Sequence, residues 1–170
     1  WLRNLLDPLI RWLGNLLDGL TRRLCHQLLL PGRRVAHPPE AIFAAFADPD
    51  RLGVWWGPEG FTNTIHDFDF RSGGKWRFTM HAPDGANFEN TCTFREIVPA
   101  NRIEFIHHLP MHVFIMVMTF EPEGEGTRLK WHMDFEPNET NAAVRPFVES
   151  GNEQNFDRLE RHLNLYGVKP

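Results

Sequence analysis

The strongest constraint on the fold is an alternation of apolar and polar residues that continues through most of residues 61–135. Successive side chains of a β-strand point to opposite faces, so this alternation predicts half-buried strands with one face on an apolar core. Short segments rich in glycine, proline and asparagine separate the strands, which is typical of an antiparallel meander. We place the strands near 61–71, 74–82, 86–98, 101–109, 111–121 and 126–135.

Helical patterns flank the predicted sheet. An extended segment over 22–36, broken near Pro31, precedes a helix that opens at His37-Pro-Pro-Glu, because proline is favoured in a first helical turn. A second short helix is expected over 48–56, and residues 141–165 carry an apolar stripe at helical spacing. The long helix needs an apolar surface, and the sheet is the large one available. The sequence therefore predicts an α+β fold in which a curved antiparallel sheet wraps a long C-terminal helix.

Residues 1–24 form a separate segment of two similar units. The units, WLRNLLDPLIR and WLGNLLDGLTR, begin at Trp1 and Trp12. Eleven residues make three helical turns, so matched side chains return to one face of an amphipathic helix, which Pro8 and Gly14 weaken. Four roles stay open: docking on the rest of the chain, docking on a second copy in a homodimer, lying on a membrane surface, or no native role.

Composition argues against several function classes. The net charge of −4 gives no general attraction for nucleic acid. Cys25 and Cys92 lie far apart and lack the spacing of a disulfide framework or a zinc site. Charged residues interrupt the leucine-rich start, so no apolar run is long enough to span a membrane. We expect a cytoplasmic protein that carries no metal and no cofactor.

Four segments occur in an order that resembles a known family. They are ADPDRLGVWWGPEGF, DFRSGGKWRF, DGANFENTCTFREIVPANRIEF and FEPEGEGTRLKW. Together they resemble the SRPBCC (START-like, helix-grip) superfamily, in the branch named for the C-terminal domain of the activator of the heat-shock-protein-90 ATPase. The resemblance covers roughly residues 33 to 165, within a domain that we place at 25–170. It implies a hydrophobic cavity between sheet and long helix that binds lipids, polyketide-like compounds or other apolar small molecules.

The alternation also identifies the side chains that face the long helix. They are mostly aromatic residues and methionines, which suit an apolar ligand of irregular shape. The alternative is that the same residues fill a closed core. If there is a cavity, we expect the ligand to contact Trp56, Trp76, Phe78, Met80, Phe105, His107, Phe114, Met116, Met118, Trp131, Met133 and Phe156.

Few polar residues share this inward face, and they are the candidates for chemistry. Asn90 and His107 are the candidate catalytic pair, since histidine can act as an acid or a base near neutral pH. A buried histidine bonded to a backbone carbonyl is the ordinary alternative. His107, His108 and His112 do not predict a metal site, because adjacent strand residues point to opposite faces.

Three functions follow from these patterns. The leading one is binding of an apolar or aromatic small molecule, such as a lipid or a polyketide-like compound. One alternative is a cyclase or hydrolase on the same fold that uses His107 and Asn90, and another is a co-chaperone-like module that binds protein. An apolar row on the sheet's opposite face, formed by Val113, Ile115 and Val117, is expected to be covered by the N-terminal helix or by a second subunit.

Overall fold

The structure is a computed structural model that describes residues 27–29, 32–108, 113–135 and 139–166. The repeat at 1–24 and Cys25 lie outside the described residues, so the predicted N-terminal helix stays a prediction. The described elements, in chain order, are β1 (Gln27–Leu29), β2 (Arg33–Val35), α1 (Pro39–Ala47), α2 (Pro49–Trp55), β3 (Thr62–Phe68), β4 (Lys75–His81), β5 (Asn87–Val98), β6 (Arg102–His107), β7 (Phe114–Glu123), β8 (Gly126–Phe135) and α3 (Glu139–Tyr166).

The described strands form one curved antiparallel sheet. Strands β3 to β8 are neighbours in sequence order, so the predicted six-stranded meander is confirmed. Strands β1 and β2 both pair with β8, one opposite 132–134 and the other opposite 127–129. They are the two halves of the extended segment that was predicted to break near Pro31. With α3 against the concave face, the predicted α+β helix-grip fold is confirmed.

The two short helices form a tight corner before the meander. α1 begins at a proline, and the Asp48 side chain caps α2 by accepting hydrogen bonds from the backbone N–H groups of Asp50, at 2.9 Å, and Arg51. The indole Nε1 of Trp55 donates to the Ala45 carbonyl at 3.1 Å, which fixes the angle between the helices. This corner delivers the following segment, residues 56–61, to one end of the sheet.

The C-terminal half of α3 is packed into the core. Phe156, Leu159 and Leu163 are fully buried against the sheet and the short helices. Their spacing returns them to one face of the helix, as predicted from the apolar stripe. On the exposed side of the same turns, Arg33 of β2 pairs with Glu153 at 2.6 Å and ties the edge strand to the helix.

Two expectations about α3 are corrected by the structure. The helix begins at Glu139 and not at 141 as predicted, so Pro146 lies inside it. Phe147 belongs to the predicted apolar stripe but is 79% exposed. The Phe147 side chain therefore lies outside the packed core.

A buried histidine joins α3 to α2. His162 is 5% exposed, and its Nε2 accepts a hydrogen bond from Arg51 Nε at 3.2 Å. Burial, together with the positive charge of Arg51, lowers the pKa of His162 from its ordinary value. His162 is therefore harder to protonate in the folded protein than in the unfolded chain, where it accepts a proton below about pH 6.5.

We expect stability to fall as the pH drops through about 6.5, and His162→Gln to reduce that loss, because the unfolded state then gains one proton fewer. The measurement is the urea midpoint at about pH 7.5 and about pH 5.5. Arg51→Gln, which removes the neighbouring charge, should give an intermediate difference. A His162→Gln variant with the wild-type difference between the two midpoints would contradict the assignment.

Candidate functional site

A cavity of about 340 Å³ lies between the sheet and the first half of α3. Its walls come from the segment after α2, from strands β4 to β8 and from α3. The lining residues are Trp56, Gly57, Pro58, Phe61, Trp76, Phe78, Met80, Phe88, Asn90, Cys92, Phe105, His107, Phe114, Met116, Met133, Phe135, Phe147, Val148, Gly151, Asn152 and Asn155. Because Phe147 is exposed and also lines the cavity, the cavity opens to the surface beside it.

The wall on the sheet side is a continuous aromatic layer. Trp76 stacks on Phe78 with ring centroids 4.3 Å apart, and Trp56 meets Trp76 edge-on at 5.2 Å. Phe105 makes a further edge contact with Trp76 at 5.6 Å. Aromatic rings packed in this way hold one another in place, so the wall is preformed.

Nine of the twelve residues predicted to contact a ligand line this cavity: Trp56, Trp76, Phe78, Met80, Phe105, His107, Phe114, Met116 and Met133. The other three, Met118, Trp131 and Phe156, lie in the packed core instead. Trp131 is closed in by Phe156, with ring centroids 4.6 Å apart, and by Trp56 at 5.5 Å. Strand parity placed Met118 and Trp131 on the correct face, but α1 and the end of α3, which includes Phe156, fill that half of the sheet.

The residues that sequence reasoning missed lie mainly on α3 and on the segment after α2. Asn152 and Asn155 are 7% and 6% exposed and contribute amide groups to the helix side of the cavity. They lie on the same helix face as Val148 and Gly151, at spacings of three and four residues. The available signal was therefore a break in the apolar stripe, where amides replace the expected apolar side chains.

The two candidate catalytic residues meet inside the cavity. His107 Nε2 lies 2.9 Å from Asn90 Oδ1, and Asn90 Nδ2 donates to the Phe88 carbonyl at 2.7 Å. The bond to the Phe88 carbonyl fixes the orientation of the Asn90 amide. Asn90 Oδ1 must then accept the hydrogen bond from His107, so His107 Nε2 carries the proton. The imidazole also stacks on Phe114, with ring centroids 4.8 Å apart. In the neutral ring, Nδ1 is then the basic nitrogen.

The thiol of Cys92 also reaches the cavity wall. Burial raises the pKa of this thiol, because the thiolate would lose its hydration. Cys92 is not part of a disulfide. A thiol that stays protonated is a poor nucleophile, so Cys92 acts as a small apolar wall residue.

The segment over 56–61 forms one rim of the cavity, and Arg158 of α3 holds it in place. The two terminal nitrogens of the guanidinium donate to five backbone carbonyls. The acceptors and distances are Val54 at 2.7 Å, Trp56 at 3.4 Å, Gly57 at 2.9 Å, Pro58 at 2.6 Å and Phe61 at 2.9 Å. Burial lowers the pKa of Arg158, but the five carbonyl dipoles surround its charge with acceptors.

Neighbouring side chains of α3 complete the attachment of this rim. Asn155 Oδ1 accepts from the Gly57 N–H at 2.5 Å, and Gln154 Oε1 accepts from the Glu59 N–H at 2.9 Å. Gly57 has a φ of 99°, and a Cβ there would lie 2.5 Å from Met80. The rim therefore depends on a glycine at position 57 and on the contacts that Gln154, Asn155 and Arg158 make from α3.

Comparison with known proteins identifies the family. The family model described as Activator of Hsp90 ATPase homolog 1-like protein matches residues 36–164. The chain belongs to this family. The matched range runs from the residue after β2 almost to the end of α3, so it contains every residue of the cavity. The resemblance to the SRPBCC superfamily is confirmed, and folds of this type commonly bind hydrophobic ligands.

Solved structures of similar fold come from several bacteria. A protein from Chromobacterium violaceum is 25% identical, with a TM-score of 0.74 over 85% of this chain and 99% of its own. A protein from Nitrosomonas europaea is 21% identical, with a TM-score of 0.77 over 85% and 97%. An AHSA1-like protein from Aeromonas hydrophila is 23% identical, with a TM-score of 0.69 over 84% and 95%. Comparison with curated proteins finds no match.

The residues that the structure describes contain neither a metal site nor a membrane-spanning helix. There, no group of three or more histidine, cysteine or acidic side chains could hold a metal ion. His108 bonds Thr93 on the opposite face from His107, and His112 lies outside the described residues. None of the helices in the described ranges is both long enough and apolar enough to cross a membrane.

We expect Arg158→Met to lower the free energy of unfolding by about 2–4 kcal/mol, because it leaves five partly buried carbonyls without their charged donor. Chemical denaturation followed by tryptophan fluorescence measures this. Arg161→Met is the matched control: Arg161 pairs with Glu59 in solvent, and such pairs contribute about 0–1 kcal/mol. Equal losses in the two variants would contradict the role given to Arg158.

Proposed function

We propose that this protein binds an apolar or aromatic small molecule, lipid-like or polyketide-like, in the cavity between the sheet and α3. The observation that carries the proposal is the cavity itself, because about 340 Å³ of space remains within an otherwise close-packed aromatic core. Small-molecule sites have volumes of about 300–1,000 Å³, mostly apolar walls and a few polar groups. This cavity meets each of these criteria, and family membership supports the same function.

The cavity also has a route of entry. Phe147 and Val148 lie where the first half of α3 leaves the core, and both line the cavity. A ligand that entered there would pass between α3 and the ends of β7 and β8, whose Phe114 and Phe135 line the same side. The opposite rim, over 56–61, is attached to α3 through Arg158. We therefore place entry at the Phe147 side.

A co-chaperone role is the second candidate, supported by the name of the family whose model matches the chain. This role requires a protein-binding surface, whereas the cavity is a small-molecule feature. Stimulation of a purified Hsp90 ATPase by the chain would support it. The enzyme alternative needs His107 as a base, and its Nε2 already donates to Asn90.

The remaining expectations stay part of the proposal. We propose a cytoplasmic setting, which the buried, unpaired Cys92 supports, since a reducing compartment preserves free thiols. Ile115 and Val117 lie half-buried on the face opposite Met116. Coverage of this face by the N-terminal segment or by a second copy remains a prediction.

The test of ligand binding uses N-phenyl-1-naphthylamine, an uncharged aromatic probe whose fluorescence rises in apolar surroundings. We expect saturable binding to the purified chain. Val148→Trp should weaken binding at least about tenfold, which corresponds to about 1.4 kcal/mol, because the indole enters the mouth of the cavity. The matched control is Val98→Trp at the far end of β5, which should change the affinity by less than about twofold.

Either of two results would refute the function. One is a wild-type chain that shows no saturable binding of the probe. The other is a Val148→Trp variant that is folded by circular dichroism and binds the probe as tightly as wild type, which would place the probe elsewhere on the surface.

A further inference from the structure

The described wall of the cavity carries no formal charge. Among the residues that the structure describes, none of those lining the cavity is an aspartate, glutamate, lysine or arginine. The nearby guanidinium of Arg158 gives both terminal nitrogens to backbone carbonyls of the rim, so it is not available as a counter-ion. A carboxylate or an ammonium in the cavity would lose its hydration without gaining a partner, at a cost of several kcal/mol. The wall therefore selects against charged ligands.

The amide and imidazole side chains of the wall divide into a satisfied pair and an available pair, and the indole N–H of Trp76 is buried there without a partner. On the sheet side, the Asn90 amide is bonded at both ends, to His107 and to the Phe88 carbonyl. On the helix side, Asn155 Oδ1 accepts from the Gly57 N–H, which leaves Nδ2 as the other end of that amide. Asn152 uses Nδ2 for a bond of 3.2 Å to Met133 Sδ, which leaves Oδ1.

Asn152 Oδ1 and Asn155 Nδ2 thus have no hydrogen-bond partner among the described residues. Neither is among the fully buried side-chain atoms that lack a partner, so both keep accessible surface where their residues line the cavity. A ligand that covered these atoms without bonding them would leave unpaired polar atoms, at a cost of about 1–3 kcal/mol each. The two residues are three apart on α3 and therefore neighbours on one helix face. Together they offer one acceptor and one donor to a group in the cavity, as a hydroxyl requires.

The volume and shape of the cavity define the rest of the ligand. An apolar cavity of about 150 Å³ holds benzene, and this one is roughly twice that size. Aromatic rings and methionines form most of the lining, and such a surface favours an aromatic partner. Two or three fused rings match this space better than a branched or long-chain lipid.

We propose that the ligand is an uncharged aromatic compound of two or three fused rings with a hydroxyl or carbonyl group, and that Asn152 and Asn155 bind that group. This inference rests on the proposed function and narrows it to a ligand class. It assigns the ring system to the aromatic wall of the sheet and the polar group to α3. Specificity then comes from two helix residues and from the absence of any charge in the wall.

The experiment measures displacement of N-phenyl-1-naphthylamine from the purified full chain by three ligands of one ring size: naphthalene, 2-naphthol and 2-naphthoate. We expect 2-naphthol to bind about 3–10-fold more tightly than naphthalene, the effect of one or two net hydrogen bonds. We expect 2-naphthoate to bind at least about 100-fold more weakly than 2-naphthol, because its carboxylate would be unpaired.

The variant Asn152→Leu tests the assigned residue. It should reduce the advantage of 2-naphthol over naphthalene to within about twofold. Loss of structure would weaken both ligands equally, so the ratio separates the two cases. Asn164→Leu is the matched control on the same helix, since Asn164 bonds His37 away from the cavity; it should keep the wild-type ratio.

A second variant keeps the inference testable if Asn152→Leu fails to fold. Asn152→Asp places a carboxylate in the wall, and the cation 1-naphthylmethylammonium, which wild type should exclude, should bind at least about tenfold more tightly to this variant. Unchanged binding of the cation would overturn the placement of the polar group at Asn152.

The outcomes separate this inference from the function on which it rests. If the probe itself does not bind, the proposed function fails and the inference fails with it. If the probe and naphthalene bind but 2-naphthol has no advantage, or 2-naphthoate binds equally well, the cavity binds ligands and the inference alone is overturned. The expected order of affinities, with the ratio lost only in Asn152→Leu, supports both.

Discussion

The hydrogen bonds from Arg158 to the segment after α2 are the interaction on which the cavity depends. One guanidinium donates to five backbone carbonyls between Val54 and Phe61 and so holds an irregular segment against a regular helix. Such a segment has few backbone hydrogen bonds of its own, and its buried carbonyls require a partner. Because the same helix also forms a wall of the cavity, the rim and the wall keep a constant separation.

The cavity exists because the two halves of α3 carry side chains of different size toward the sheet. Phe156, Leu159 and Leu163 fill the space between helix and sheet at the C-terminal end. One to two turns earlier, Gly151 has no side chain to place against the same sheet, and the cavity lies beside it. Interiors are otherwise packed to the density of organic crystals, so an open volume of this size reflects the side chains that surround it.

The chemistry of the wall follows from the same division. Rings on the sheet side contact one another as closely as they would contact a ligand, which keeps the wall rigid when the cavity is empty. Amides on the helix side replace the apolar residues that would close the core. The histidine and asparagine of β5 and β6, which look reactive in the sequence, are bonded to one another and serve first to satisfy a buried polar pair. The family fold provides the curved sheet and the long helix, and the side chains of the wall determine which ligands the cavity can bind.

The sequence alone determined the order of elements and the inward face of each strand. Period-two alternation identifies a strand face without knowledge of its neighbours, so Trp76, Phe78 and Met116 were placed correctly. The bounds of the two short helices followed from Asp48 and the prolines, whose effects are local. The family resemblance rested on the same local segments.

Only the tertiary structure decided which part of that inward face borders empty space. Met118 and Trp131 share the parity of the lining residues, yet both are buried in the core, where Phe46 of α1 and Phe156 of α3 pack against Trp131. The roles of Arg158, Asn152 and Asn155 were likewise invisible, because each contacts residues far away in sequence. Parity along a strand is a property of the local backbone, whereas a cavity is set by the distance between elements, and that distance depends on every side chain between them.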